Sequence, residues 1–117
     1  MLNIEIYAKP LSVNAVWAGR RFKTPAYKAY EIELGYLLPK EEMIKGFVEV
    51  KYDFYIKNFL MNDVDNLIKP LQDILVKKGY IEDDRKIKRI IAEKHKSETN
   101  KIIIEIKQCH LNQEHNY

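Results

Sequence analysis

From Phe47 to Ile56 the chain reads FVEVKYDFYI, and its apolar residues fall on every second position. Val48, Val50, Tyr52, Phe54 and Ile56 alternate with Glu49, Lys51 and Asp53. Successive side chains of a strand point to opposite faces, so a period of two marks a strand with one buried face. Its β-branched and aromatic residues suit the same conformation. It is the clearest strand in the chain.

The remaining elements are read around it. LNIEIYA alternates at Leu2, Ile4 and Ile6, which predicts a first strand. KPLSVNAVWAGRRFKTP spreads Pro, Ser, Asn and Gly along a basic stretch and is expected to be a long loop. Loops of that length in compact domains usually bind something. Thr24 is placed to cap a helix with Pro25 at its first position, running through AYKAYEIELGYLL until Pro39. Ile32, Leu34, Leu37 and Leu38 are expected to supply much of its buried side, and Gly35 weakens it.

After the loop NFLMN, a second helix places Leu67, Leu71, Ile74 and Leu75 on one face. Gly79 is suited to end it in a left-handed conformation, with Tyr80 or Ile81 packing back. KIKRIIAEKHK and NKIIIEIKQ read as two further strands, separated by a polar turn at Ser97 to Asn100. The expected fold is α+β: one small domain over residues 1–108, with a mixed sheet of about four strands and two main helices. Residues 109–117 are expected to be a disordered tail.

Composition narrows the function classes. The 117 residues suffice for one core, and 46% hydrophobic with 32% charged residues argues against disorder. No apolar run approaches the roughly 20 residues of a spanning helix. MLNIEIYAKP lacks the pattern of a secretory signal. The single cysteine, Cys109, rules out an internal disulfide and fits a reducing, cytoplasmic compartment. The net charge of +3 is mild, but its distribution is uneven. Up to Tyr30, Lys9, Arg20, Arg21, Lys23 and Lys28 stand against the single acid Glu5. Arg85, Lys86, Lys88 and Arg89 follow directly on the acidic cluster Glu82-Asp83-Asp84. Basic runs around concentrated acids suit a polyanion held against a cation-filled site, although each run alone also fits a solvated face.

Those acids carry the chemistry. Asp63 and Asp65 stand one residue apart, Lys69 follows Asp65 by four, and Asp83 and Asp84 come after the second helix. Singly, each aspartate reads as a helix cap or turn residue. Together they suggest a site. If residues 62–65 continue the extended chain, Asp63 and Asp65 project to one side, and Asp84 can return to meet them. Three such carboxylates repel one another unless a hard divalent ion lies between them. Lys69 can then place a positive charge on a scissile phosphate. Pro70 fits only if the regular helix begins late or bends there. Neither zinc-binding spacing of His95, His110 and His115, nor an EF-hand, nor a phosphate-binding glycine loop is present.

The stretch DVDNLIKPLQDILVKKGYIEDD resembles the signature of the RusA family of Holliday junction resolvases. The matching residues are Asp63, Asp65, Asn66, Lys69, Asp73, Gly79, Tyr80, Asp83 and Asp84, and KPLSVNAVW is similar to the family's weaker opening motif. The resemblance implies a homodimeric, Mg²⁺-dependent endonuclease that resolves four-way DNA junctions by paired nicks, with Mn²⁺ as a substitute metal. It makes Asp63, Asp65 and Asp84 the metal-binding carboxylates, with Asp83 as a lesser candidate, and Lys69 the catalytic lysine. Pro70 and Glu82 depart from the usual pattern. The resemblance also points to a phage or prophage origin.

On this reading Asn14, Arg20, Arg21, Lys23, Arg85, Lys86, Lys88 and Arg89 contact DNA, setting position more than sequence. Phe59 is a candidate wedge at the junction centre, against the plainer reading of a core residue. The rival functions are a non-catalytic module that binds nucleic-acid shape, and a general flap or branched-DNA nuclease.

Overall fold

The alternation in the strands decides which way the sheet faces. In the computed structural model, which describes residues 1–19 and 22–110, β1 (Leu2–Ile6), β4 (Val48–Ile56), β5 (Ile87–Lys96) and β6 (Lys101–Gln108) form one sheet. Its order is β1-β6-β4-β5. β6 is antiparallel to both β1 and β4, whereas β5 runs parallel to β4, so the sheet is mixed. Every second residue of β4 is buried, from Val48 to Ile56. Ile102, Ile104 and Ile106 of β6 and Ile4 and Ile6 of β1 join them in one core. α1 (Pro25–Leu37) and α2 (Ile68–Lys77) close that core. The architecture is α+β, as the patterns predict.

α1 begins as expected: the Thr24 hydroxyl accepts from the Tyr27 N–H at 3.1 Å, and Pro25 occupies the first turn. Its buried side differs. Tyr27, Tyr30, Leu34 and Leu38 face the core, while Ile32 and Leu37 are exposed. The spacings of three and four put the two tyrosines on Leu34's face, and Ile32, two residues from Leu34, lies about 200° round the helix.

The stretch expected to be a long basic loop also has structure. Val13–Ala15 form a 3₁₀ turn capped by Ser12. β2 (Trp17–Ala18) and β3 (Phe22–Lys23) then pair as a short antiparallel ribbon. Its root is tied down by the Thr24 N–H, which donates to the Val16 carbonyl at 2.8 Å.

The 97–100 turn does not join neighbouring strands. It passes over the end of β4: the Ser97 N–H donates to the Ile56 carbonyl and the Lys57 N–H to Asn100 Oδ1, each at 3.1 Å. Two polar residues thus satisfy the end of the central strand. Of the expected tail, Cys109 donates its N–H to the Phe47 carbonyl at 2.8 Å, and residues 111–117 lie outside the described residues.

α2 is entered through a 3₁₀ turn at Val64–Leu67, which makes Pro70 the third residue of the α-helix. The first-turn N–H groups have no partner within the helix, so proline loses nothing there. This removes the conflict at Pro70. At the other end, the Tyr80 N–H donates to the Leu75 carbonyl and the Gly79 N–H to the Val76 carbonyl. This is the Schellman pattern, with Gly79 at φ +88° and both Tyr80 and Ile81 buried behind it. Gly79→Ala is expected to destabilise the fold by about 1–2 kcal/mol, because a Cβ is strained in the left-handed region. Urea denaturation measures this, and Gly79→Asn is expected to cost less.

Candidate active site

Leaving β4, the chain makes a 3₁₀ turn at Phe59–Met61 before it reaches the aspartates. Asn62 and Asp63 are extended, and the Asn66 N–H then closes the next turn on the Asp63 carbonyl at 3.1 Å. The expected extended run over 62–65 therefore stops at Asp63, and Asp65 lies inside the turn. The backbone carbonyl of Asp63 serves this turn; its side chain makes no capping bond. Asp63 and Asp65 are both exposed, and neither carboxylate is hydrogen-bonded or ion-paired among the described residues.

Lys69, on the first turn of α2, reaches two carboxylates. Its Nζ lies 2.7 Å from Asp73 Oδ1 and 3.3 Å from Asp84 Oδ2. The hydrogen bond to Asp73, and after it the one to Asp84, pushes the lysine above its ordinary pKa, so it stays charged at neutral pH. The bridge joins the two ends of the crossover between β4 and β5. Beneath it, the buried Tyr52 hydroxyl donates to Gln72 Oε1 at 3.0 Å, fixing α2 to the central strand.

The double aspartate divides its labour. Asp83 accepts the Arg85 N–H at 2.9 Å and pairs with the guanidinium at 3.1 Å. The side-chain bond to Arg85, helped by the backbone N–H, holds the Asp83 carboxyl down at about 2. A depressed carboxylate contributes stability above its unfolded value, and that contribution is lost as the pH falls from about 4 towards the folded value. Asp83 is thus a turn cap across the neutral range, and Asp84 is the member that faces Lys69. Glu82 is also occupied, accepting the Gly46 N–H.

The sequence-predicted DNA contacts are spread more widely. Asn14 is exposed on the 13–15 turn, which packs against the 64–67 turn and α2. Lys23 lies over Trp17 and Tyr27. Arg20 and Arg21 lie outside the described residues. Lys86 covers the Phe47 ring, Lys88 donates to the His110 carbonyl, and Arg89 pairs with Glu49 at 3.4 Å on the face of the sheet away from the core. Phe59 is not the exposed residue of its turn: it packs against the core, while Leu60 and Met61 are 91% and 83% exposed.

Two residues escaped the sequence reading as parts of this region. Asp73 stood in the matched signature and at helical spacing from Lys69, but only the structure shows it sharing the ammonium with Asp84. Lys94 had no local signal. From β5 its Nζ donates to the Phe59 and Asn62 carbonyls, both at 2.8 Å, and lies 4.3 Å from the Phe59 ring centroid. It anchors the turn that leads into Asp63.

Among the described residues, the group whose ligand atoms all lie within 4.8 Å of one another is Asp53, Glu93 and His95, not the expected three aspartates. It lies on the sheet face away from the core. His95 Nε2 is 2.8 Å from Asp53 and Nδ1 is 3.6 Å from Glu93. Each ring nitrogen of His95 thus faces a carboxylate, and the contact with Asp53 links β5 to β4.

Residues 8–107 match the family model of endodeoxyribonuclease RusA. The chain belongs to the RusA family. That family comprises Holliday junction resolving endonucleases that act on branched DNA, are generally dependent on a divalent metal and are commonly encoded by phages or prophages. No curated protein matches the chain. None of the described helices is long and apolar enough to cross a membrane. In donor chemistry these residues fit a hard cation: Asp63, Asp65 and Asp84 are exposed oxygen donors, and among the described residues the carboxylates of Asp63 and Asp65 are unengaged.

Lys94→Met keeps the aliphatic stem but removes both bonds to the 59–62 turn. It is expected to destabilise the protein by about 1–3 kcal/mol, given that charged donors make the stronger hydrogen bonds. Faster amide exchange at Met61, whose N–H closes that turn on the Asn58 carbonyl, is the accompanying readout.

Proposed function

We propose that this RusA-family chain is a metal-dependent endodeoxyribonuclease that resolves four-way DNA junctions by paired symmetric nicks, acting as a twofold homodimer. The observation that carries the reading is Lys69, held by Asp73 and Asp84. It stands on the helix that follows the 64–67 turn, where the carboxylates of Asp63 and Asp65 are unengaged among the described residues. Asp63 and Asp65 would hold the metal from the start of the crossover, and Asp84 from its end. When bound, Mg²⁺ or Mn²⁺ polarises the scissile phosphate and lowers the pKa of an attacking water.

The rest belongs to the chain's own groups. Lys69 is a fixed cation for the reacting phosphate, where negative charge grows in the transition state. Because Lys69 has two carboxylate partners, Asp73 would still orient it were Asp84 to hold a metal. Asn14, Arg20, Arg21 and Lys23, together with Arg85, Lys86, Lys88 and Arg89, hold neighbouring phosphates and set position. Leu60 and Met61, instead of Phe59, are the apolar tips that meet the junction centre, where such side chains can separate base steps. Two symmetric nicks need two sites, which a twofold dimer supplies. The lone Cys109 suits a reducing, cytoplasmic setting.

A labelled four-way junction incubated with Mg²⁺ tests the proposal. Asp63→Asn is expected to abolish cutting while leaving junction binding in metal-free buffer intact or tighter, since it removes a metal ligand and a repulsive charge together. A folded Asp63→Asn protein that cuts at the wild-type rate would remove Asp63 from the site. Asp65→Asn and Asp84→Asn are expected to behave alike, and Asp83→Asn to retain cutting.

Lys69→Ala is expected to lower the single-turnover cleavage rate about 10²–10³-fold, the usual effect of losing one transition-state donor. Junction affinity should fall only slightly, because one charge among many phosphate contacts matters little for binding. Equal losses in both measurements would make Lys69 an ordinary phosphate anchor.

A further inference from the structure

The β2–β3 ribbon exposes two aromatic side chains that no packing requirement explains. Trp17 pairs with Lys23 and Ala18 with Phe22. Cross-strand partners share a face and successive residues alternate, so Trp17 and Phe22 stand on opposite faces. Phe22 is 73% exposed and Trp17 49%. Apolar rings of this size are normally the first to be buried.

The ribbon is nonetheless held in place. Val16, at its root, is buried, and Thr24 bonds to the carbonyls of both Ala15 and Val16. Lys23 Nζ lies 4.1 Å from the Tyr27 ring centroid and 5.3 Å from that of Trp17. Tyr27 is buried at the start of α1, so this cation clamps the indole to the body of the protein. The adjoining 13–15 turn packs on the 64–67 turn that carries Asp65. The ribbon thus follows directly on a turn that touches the one carrying Asp65, and as a two-stranded element it is too short to be stable alone.

We propose that this ribbon is a base-stacking platform, which takes unstacked nucleobases of the bound DNA, one on Trp17 and another on Phe22 across the ribbon. The inference rests on the nuclease reading and names a further contact for it. A nucleobase satisfies both features of the patch: its π-face matches exposed rings, and the attached phosphate matches Lys23 and the basic excess of the first thirty residues. An apolar protein surface would leave that charge unanswered. Unstacked bases occur at branch points and in single strands and are absent from an intact duplex. The platform thus favours branched over linear DNA without reading sequence.

The chain has one tryptophan, so its intrinsic emission reports on Trp17 directly. The full-length protein is titrated in metal-free buffer with a four-way junction, a single strand and a linear duplex, with binding followed in parallel by anisotropy of labelled DNA. Junction and single strand are expected to quench Trp17 emission strongly, and the duplex weakly. Trp17→Ala and Phe22→Ala should each weaken junction binding about tenfold, the lower part of the range for one base–aromatic stack. Trp17→Phe should restore most of that loss. Phe22→Ala, made at an exposed position, should melt like the wild type, so folding does not confound it.

Junction bound tightly with Trp17 emission unchanged, and with Phe22→Ala at wild-type affinity, would overturn the platform and leave the nuclease reading standing. A junction bound no better than the duplex would count against the nuclease reading; the single-strand titration then decides the platform separately, quenching supporting it and unchanged emission overturning it. Emission that shifts with protein concentration in the absence of DNA would place the rings between copies of the chain and also overturn the proposal.

Discussion

The burial of one whole face of β4 is the constraint on which the rest depends. Val48, Val50, Tyr52, Phe54 and Ile56 must all be covered at once, which demands a second layer along the strand. The isoleucines of β6 extend that face, and α1 and α2 cover it. α2 also returns the chain for β5, which runs parallel to β4 and so could not be reached by a hairpin. The crossover carries Asp63 and Asp65 at its start, Lys69 in its first helical turn and Asp84 at its end. The return path that completes the sheet thus also carries every residue of the proposed site.

The short polar residues that start helices and turns are used differently along the chain. Thr24 caps α1 with its side chain, and Asp83 caps the 84–86 turn. Asp63 stands at the corresponding position of the 64–67 turn and makes no such bond. A cap of this kind contributes about 1 kcal/mol. At Asp63 the chain forgoes that contribution.

The paired arrangement at Lys69 has a further consequence. An ammonium between two carboxylates is strongly oriented, and its raised pKa keeps the orienting charge present. Lys94 supports the preceding turn: it ties that segment to a second element, here β5. Rigid support of this sort is what a site needs when its catalytic groups sit on exposed turns.

The sequence by itself determined whatever depends on local periodicity and short-range backbone chemistry. The alternation in β1 and β4, the Thr24-Pro25 start of α1 and the left-handed stop at Gly79 each follow from interactions within a few residues. The order Asp63, Asp65, Lys69, Asp84 was legible for the same reason, as a pattern of residue types at short spacing. Only the tertiary structure decided which side of α1 is buried, because Tyr27 and Tyr30 compete with Ile32 and Leu37 for a face that the sheet defines. It also decided that Asp84 and not Asp83 meets Lys69, that Lys94 anchors the turn before Asp63, and that Leu60 and Met61 project where Phe59 does not. Each is a contact between residues distant in the chain or a choice between adjacent side chains. Such choices are set by how elements pack, and no local pattern encodes them.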